Sequence, residues 1–427
     1  MVMRRRRILT PAECLSDAPV YTPRGADGIG IGIGIGLPFG GRRSAWTPEK
    51  LVQPGDSWLW ADLDATGAVK LNTQPPLVDG DMEAVGVGAW VPNNAILTKE
   101  AGSPSGIGSQ VLRVKRTGSS SFARQIIKIV GNYYVVTGYA RGDGSNAPAI
   151  LRGNGTLGGM WAGTNSTIWQ TISGEGIELY GTDFVLYAGA VDTHWTEYDD
   201  LNLRNLSVNS VTCKGNLGNL VQATEANMPW LSDADAPTSV RLNTKRVLYS
   251  DGVADHSVSS GAASTHSYHK AAGFTYTEVI RPDTAAAGTD TLIDTCDAAA
   301  ANVGITVEYD ATNTQIVVKV ANASGTFVVE EASGAGTVPK AAWTRVAVSW
   351  SAAAGVIIRT DEDAPVTAAS VGAASAADAT ATLQFGRTSG GANYFHGGRC
   401  GMLLKTGAQT SDNLGKWLAW AKTEYAL

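Results

Sequence analysis

The stretch NYFHGGRCGMLLKTGAQTSDNLGKWLAWAKTEYAL, residues 393–427, decides how the rest of the chain is read. Phe395 with Gly397 and Gly398 reads as a sharp turn, and Arg399-Cys400-Gly401-Met402-Leu403-Leu404 reads as an apolar strand suited to the inside of a sheet. A helix start follows, because Thr410, Ser411 and Asp412 all offer capping oxygens. Leu414, Trp417, Leu418, Ala421 and Tyr425 then recur at helical spacing as one buried stripe. A helix this short is not stable alone, so the pattern predicts a sheet beneath it.

The preceding residues supply candidate strands. Segments beginning at Val247, Phe274, Gly304, Gln315, Phe327, Trp343, Val356 and Leu383 alternate apolar with polar residues and are separated by Gly, Asn, Asp and Ser. Short strands in succession without intervening helices predict an antiparallel β-sandwich. Asp251-Gly252 with Asp255, the strand from Trp343 to Trp350, the Val356-Ile-Ile-Arg hairpin and the Leu383-Gln-Phe-Gly-Arg to Leu404 segment stand in that order. Together they resemble the laminin-G-like, concanavalin A-like sandwich of many bacterial and phage proteins, across roughly the last half of the chain. Val221-Gln-Ala-Thr and Ala226-Asn-Met-Pro resemble the lead-in that precedes that domain.

Composition narrows the classes available. At 427 residues the chain has room for about two to four domains. It is 17% charged and carries 50 glycines, less charge and more glycine than the roughly 25% and about 7% of ordinary soluble proteins, which suits tightly turned β structure. With 12 Trp and 13 Tyr, it has the means to build cores and does not read as disordered. A formal net charge of -6 argues against a general polyanion or nucleic-acid binder, and Arg4 to Arg7 read as a solvated basic tail. Ile8-Leu9 runs straight into Thr10-Pro11, so no cleaved export signal is expected, and no apolar run of about 20 residues predicts a membrane span. Cys14, Cys213, Cys296 and Cys400 are too dispersed for a metal cluster or a dense disulfide framework, and Cys400 reads as a small buried apolar residue.

Residues 1–78 differ from the remainder. Gly28 to Gly36 alternates Gly with Ile, which predicts a strand bare on one face and open to close approach by another backbone. It is not a dinucleotide fingerprint, because Ile33, Ile35 and Phe39 occupy the slots where a third glycine is needed. The following Leu37-Pro-Phe-Gly-Gly-Arg-Arg43 resembles the N-terminal attachment segments of tailed-phage minor virion proteins; an ordinary edge strand is the alternative. Thr47-Pro48-Glu49 predicts a short helix with Pro in its first turn, and Trp58-Leu-Trp60 a small docked segment ending at Gln74-Pro75-Pro76.

From Asp79 a second β pattern begins. It opens with Asp79-Gly-Asp-Met-Glu83, passes through Gln110-Val-Leu-Arg, Tyr133-Tyr-Val-Val and Phe184-Val-Leu-Tyr, and closes with Tyr198-Asp-Asp-Leu-Asn-Leu. Over 79–205 this resembles the galactose-binding-like jelly roll of carbohydrate-binding modules. In that family the opening and closing acids meet at a structural calcium ion, so the resemblance implies possible Ca²⁺ at Glu83, Asp199 and Asp200; turn capping or pairing with Arg113 or Arg204 is the alternative. Sugar binding calls for exposed aromatic faces with a few polar groups, and Trp161, Trp169, Tyr139 and Trp195 are the candidates, with Arg141 and Asp143 nearby in sequence. Core packing is the competing role for each. Arg141-Gly142-Asp143 reads as a hairpin turn and not as an adhesion motif.

Enzymatic signatures are missing. Glu197-Tyr-Asp-Asp-Leu-Asn202 lacks the second glutamate of a sandwich-type glucanase, neither a zinc-protease helix motif nor a nucleophile elbow occurs, and His266 and His269 lack a third metal ligand nearby. The expected fold is therefore all-β: a virion attachment segment at 1–78, a jelly roll at 79–205, a linker or lead-in at 206–246, and a laminin-G-like sandwich with a C-terminal helix at 247–427. The expected function is non-enzymatic. It is that of a structural, adhesive protein of a tailed-phage virion, at the tail tip, tail fibre or head fibre, holding host-surface glycan as a trimer or hexamer and joined to other virion proteins through its N-terminal segment. A polysaccharide-degrading virion enzyme and a purely architectural subunit are the alternatives.

Overall fold

The computed structural model describes residues 46–427, apart from 105–107, 153–158, 179–180, 233–241, 271, 297–302, 324–325 and 380. Arg4 to Arg7, Cys14, the Gly-Ile repeat and the 37–43 segment lie outside the described residues. What is described is all-β: two nine-stranded and two five-stranded antiparallel sheets with one α-helix, Ser411–Glu424. No helix among the described residues is long and apolar enough to cross a membrane.

The predicted C-terminal strand is the axis of the larger sandwich. His396–Thr406 pairs along one side with Phe274–Pro282. Its other side is shared: residues 396–399 pair with Val247–Asp251, and residues 402–405 with Trp58–Ala61. The changeover coincides with a bulge, where the register against Phe274–Pro282 shifts between Thr277 and Val279. Gly401 makes the bulge possible, with φ of +62° and the Tyr425 hydroxyl lying where a Cβ would project. Gly397 does not form the turn its sequence suggests; it lies inside the strand, where a Cβ would strike the Arg281 carbonyl, so its role is close backbone approach.

The strand pairing also redraws the expected segment boundaries. Trp58–Ala61 and Val69–Leu71, expected in an attachment segment, are strands of the two nine-stranded sheets. The 206–246 stretch, expected as a linker, contributes Val208–Val211, Lys214–Gly215, Leu220–Val221 and Trp230–Ser232 to the same sheets. The larger sandwich thus takes strands from both sides of 79–205. The strands escape a reading of the sequence because they are two to four residues long, too short to show an alternating pattern.

Its core is drawn from both sheets, with Phe274, Tyr276, Val348, Trp350 and Leu404 facing Ile293, Val307, Val318 and Val320. Inside it lies an ion pair. Arg399 donates from Nε and Nη2 to Glu278 at 2.7 Å each, and from Nη2 to the Leu292 carbonyl at 3.1 Å, which ties one sheet to the other. A cavity of about 20 Å³, room for one water molecule, adjoins this pair, lined also by Leu248, His256 and Phe385. The helix covers the outer face. Thr410 caps it by accepting from Asn413 N at 3.3 Å, and Leu414, Trp417, Leu418, Ala421 and Tyr425 are buried as the stripe predicts. Arg345 donates to the Leu418 carbonyl and Arg359 to the Ser411 carbonyl, anchoring the middle and the start of the helix to the sheet. At the N-terminal side the predicted helix at Pro48 is a 3₁₀ turn, Pro48–Leu51, and Trp46 packs on Trp420 at 6.1 Å.

The two five-stranded sheets enclose a separate core that includes Trp90, Leu112, Tyr134, Phe184 and Tyr198. They meet the larger sandwich through stacked rings: Tyr133 lies parallel to Trp230 at 4.7 Å, and Trp230 meets Tyr249 at 4.8 Å. Asn132 Oδ1 accepts from both Asn72 and Asn205, and Asn72 N donates to Ser207 O at 2.7 Å, so the two chain crossings sit side by side.

These pairings predict how fragments behave. A 247–427 fragment, stripped of Trp58–Ala61 and the short strands of 208–232, should show no cooperative thermal transition, whereas a 77–205 fragment with its own core should melt cooperatively. A sharp melt for 247–427 would show that the N-terminal strands are dispensable.

Candidate functional site

One face of a five-stranded sheet, in the order Gln170–Ile177, Tyr133–Gly142, Trp195–Asn205, Gln110–Arg116 and Ala95–Ala101, gathers most of the candidate residues. Alternation along Trp195–Asn205 points Thr196 and Tyr198 into the core and leaves Trp195, Glu197 and Asp199 on the other face. Register does the rest. Glu197 stands opposite Arg113 on one side and Arg141 on the other, Trp195 opposite Lys115, and Tyr139 opposite both Asp199 and Thr171.

The result is a row of alternating rings and guanidiniums. Arg141 lies over the Trp169 ring at 4.7 Å and 5.9 Å from that of Trp195, while Arg113 lies over Trp195 at 4.4 Å. Such cation–π contacts contribute about 0.5–1 kcal/mol each at exposed sites. Glu197, fully buried, holds the row together: Oε1 accepts from Arg113 Nε at 2.9 Å and Nη2 at 2.6 Å, and Oε2 accepts from Arg141 Nε at 2.6 Å. Arg113 also approaches Glu100 at 3.3 Å. Trp169, Trp195, Tyr139, Arg113 and Arg141 are half-buried, and Lys115, Thr171 and Ser173 are exposed around them.

Asp143 sets the end of the row. It caps a turn, with Oδ1 accepting from Ser145 N and Asn146 N, but the turn leads from Tyr133–Gly142 to Ala149–Arg152 of the opposite sheet and is not the hairpin its sequence suggests. Its Oδ2 accepts from Trp195 N at 3.0 Å and meets His194 Nδ1 at 2.7 Å, so the same carboxylate orients Trp195. Burial pushes this carboxyl up, but the backbone donors of Asn146, Trp195 and Ser145 outweigh it and hold it at about 2.

Trp161 is placed elsewhere. It sits on Gly159–Ala162 at the edge of the opposite sheet, half-buried against the core, with Gly163 and Gly174 pressed close to it. The row therefore assembles Trp169, Trp195 and Tyr139 without it. Sequence reading also passed over Glu197, Arg113 and Lys115 as members of the site, although the period-two spacing of Trp195 with Glu197 and of Arg113 with Lys115 already puts each pair on one face.

The opening and closing motifs that carry Glu83, Asp199 and Asp200, the acids read as calcium ligands, meet at the end of the same sheet. Leu201 N donates to Gly80 O at 2.7 Å, and a Cβ at residue 80 would strike the Leu201 carbonyl, so the opening and closing motifs are in contact. Glu83 accepts from the backbone N–H of Ser109 at 2.6 Å and of Gln110 at 2.9 Å, and from the Ser109 hydroxyl, which hold its carboxyl below the usual range. Burial pushes Asp199 up to about 7, and the charges of Asp200 and Glu83 add to that shift. The Asp199 carboxyl is hydrogen-bonded by Asp200 N at Oδ1 and by the Ser103 side chain, and its Oδ2 is buried with no partner assigned among the described residues. Asp200 itself has φ of 47°, at a bulge between Asp199 and Asn202. Lys99 binds Asp79 Oδ2 at 2.6 Å and the Met82 carbonyl at 2.5 Å beside this cluster. Hard oxygen donors with one orphaned carboxylate oxygen suit a calcium ion in chemistry. Among the described residues, no group of three or more His, Cys, Asp and Glu side chains converges as a metal cluster. His266 and His269 are separately engaged, His266 with the Tyr268 hydroxyl and His269 with the Ala377 carbonyl.

No protein-family model and no curated protein matches the chain. Among solved structures it is similar to the Ruminococcus gnavus IT-sialidase CBM40, at 13% identity over 34% of this chain and 80% of that one, with a TM-score of 0.28. It is also similar to the CBM22-1–CBM22-2 tandem of Paenibacillus barcinonensis Xyn10C, at 12% identity over 79% and 100% with a TM-score of 0.29. A third likeness is to Trypanosoma rangeli sialidase, at 10% identity over 78% and 63% with a TM-score of 0.32. At these identities and scores such likeness carries no information on ligand or activity.

The Asp143 geometry has a pH consequence. Because its pKa is lower in the folded than in the unfolded chain, its contribution to stability is present above about pH 4 and is lost as pH falls through about 2. Urea unfolding of Asp143→Asn should show a shallower loss of stability between those values than the parent chain, and identical acid limbs would refute the assignment.

Proposed function

We propose that this chain is an adhesive protein of a tailed-phage virion that holds host-surface glycan on the open face of the Trp169–Arg141–Trp195–Arg113 row. The observation that carries the glycan reading is the row itself. Half-buried indoles and Tyr139 stand beside fixed hydrogen-bond donors, on an uncovered sheet face where a sugar chain can lie across several strands. The virion assignment rests on the resemblance of residues 37–43 to phage attachment segments and on the order of an N-terminal anchor before outward-facing sandwiches. Copies assembled as trimers or hexamers would raise the effective affinity of a weak site without any new contact.

Glycan recognition here calls for positioning and no bond breaking. Both oxygens of Glu197 are occupied by guanidinium donors, so this carboxylate acts as a brace for the arginines. A bound Ca²⁺ would be held by Glu83, Asp199 and Asp200 and would supply structural closure of the jelly roll end. Asp199 Oδ2 offers it an unused oxygen.

Three measurements check this reading. Trp169→Ala and Trp195→Ala should each weaken binding of the full chain to host-surface polysaccharide by about tenfold while leaving its thermal transition in place, since each ring fixes the plane of a guanidinium whose ordering on the ligand would otherwise cost on the order of 1–2 kcal/mol. Unaltered binding in both would remove the face from consideration. Deleting residues 1–45 should give a folded protein that no longer enters particles, and normal incorporation would refute the anchor. Chelation should lower the melting temperature of the parent chain but not of Asp199→Asn; equal curves with and without chelator would exclude the ion.

A further inference from the structure

We infer that the glycan held on this face is acidic, recognised through a carboxylate by Arg141 and Lys115; this deepens the glycan reading and rests on it. The argument begins with what covers the rings. A neutral sugar stacks its C–H face on a bare indole, but here Arg113 lies over Trp195 and Arg141 over Trp169, so guanidiniums occupy the ring faces that such stacking would use. What the row presents outward is largely the N–H edge of stacked guanidiniums.

The two arginines are not equivalent. Arg113 is committed, with Nε and Nη2 on Glu197 and Nη1 beside Glu100. Arg141 spends only Nε on Glu197, and its two Nη groups hold no hydrogen bond among the described residues. Its side chain is 28% exposed, and its plane is fixed by Trp169, Trp195 and the buried Glu197. A guanidinium fork with an unused edge is the donor set that a carboxylate matches with two parallel hydrogen bonds.

Lys115 adds a second positive charge. It is exposed, stands opposite Trp195 on the same face, and forms no ion pair among the described residues. At the centre of the row, Arg113, Lys115 and Arg141 set against Glu100 and Glu197 leave one positive charge in a chain whose net charge is -6, while Asp199 stands further along the same face opposite Tyr139. The overall negative charge still argues against general polyanion binding. The row is small, and its free donors suit the carboxylate of one sugar unit, not a run of phosphates.

The test uses the full chain on an array in which carboxylate-bearing oligosaccharides are each paired with their methyl ester, with neutral glycans alongside. Free acids should bind about tenfold or more above their esters, the margin expected when a charge-assisted bond replaces a neutral one. Arg141→Gln should abolish that preference. Lys115→Gln, at an exposed position where folding is not at stake, should reduce it and flatten its dependence on salt. Equal binding of acids and esters, or of neutral glycans alone, would overturn the acidic assignment while leaving the glycan reading intact. Binding of no glycan on the array would overturn both.

Discussion

The larger sandwich depends on one strand finding two partners on the same side. His396–Thr406 has a single edge to offer there, and it is divided between Val247–Asp251 and Trp58–Ala61 at the Gly401 bulge. Without the second partner, residues 402–405 would present unpaired backbone groups beneath a buried apolar row, which is costly. The contact is also distant along the chain: Ser57 N donates to the Thr406 hydroxyl across 349 residues. Closing so long a loop costs entropy before any pairing compensates for it, but the cost grows only slowly with length. It falls further if the 79–205 region is folded first. Asn72 and Ser207 are then already hydrogen-bonded neighbours, and the effective loop loses the whole insert.

The buried Arg399–Glu278 pair belongs to the same strand and solves a different problem. Burying two charges is a poor source of stability, and an apolar pair of equal volume would do as well or better. What an apolar pair could not do is bind the Leu292 carbonyl of the facing sheet in one geometry. The Tyr276 hydroxyl donates to the same Glu278, so the polar groups inside the sandwich satisfy one another and fix how the sheets face. On the opposite side of the sheet, Gly401 leaves room for Tyr425, so the bulge that divides the strand's partners also seats the end of the helix.

Much of this was legible in the sequence, and the failures have a physical pattern. The helix, its cap and its stripe were readable because they are local and periodic. The longer strands are readable for the same reason, and the family resemblance places the opening motif beside the closing one, where Leu201 N donates to Gly80 O. The short strands of 206–232 were not, since two or three residues carry no period and owe their conformation to the neighbours they pair with. The row on the sheet face was half legible. Tyr139, Trp169 and Trp195 stand out in the sequence as aromatic residues and share the face, whereas Trp161, aromatic too, packs at the opposite sheet's edge. What no residue count could supply was the cross-strand register that brings Glu197 between Arg113 and Arg141.

That register determines what the face can recognise. An exposed arginine has many rotamers, and fixing it on a ligand costs side-chain entropy that weakens binding. Here the cost is met in folding: Glu197, at full burial, holds both guanidiniums by short hydrogen bonds, and the two indoles fix their planes. The same arrangement removes the bare ring faces on which a neutral sugar would stack. A surface that gives up apolar stacking to hold a guanidinium edge in one orientation gains selectivity for planar anions. Asp143 extends the logic to the turn, since the carboxylate that caps the passage from one sheet to the other also receives the Trp195 backbone N–H and sets where the row ends.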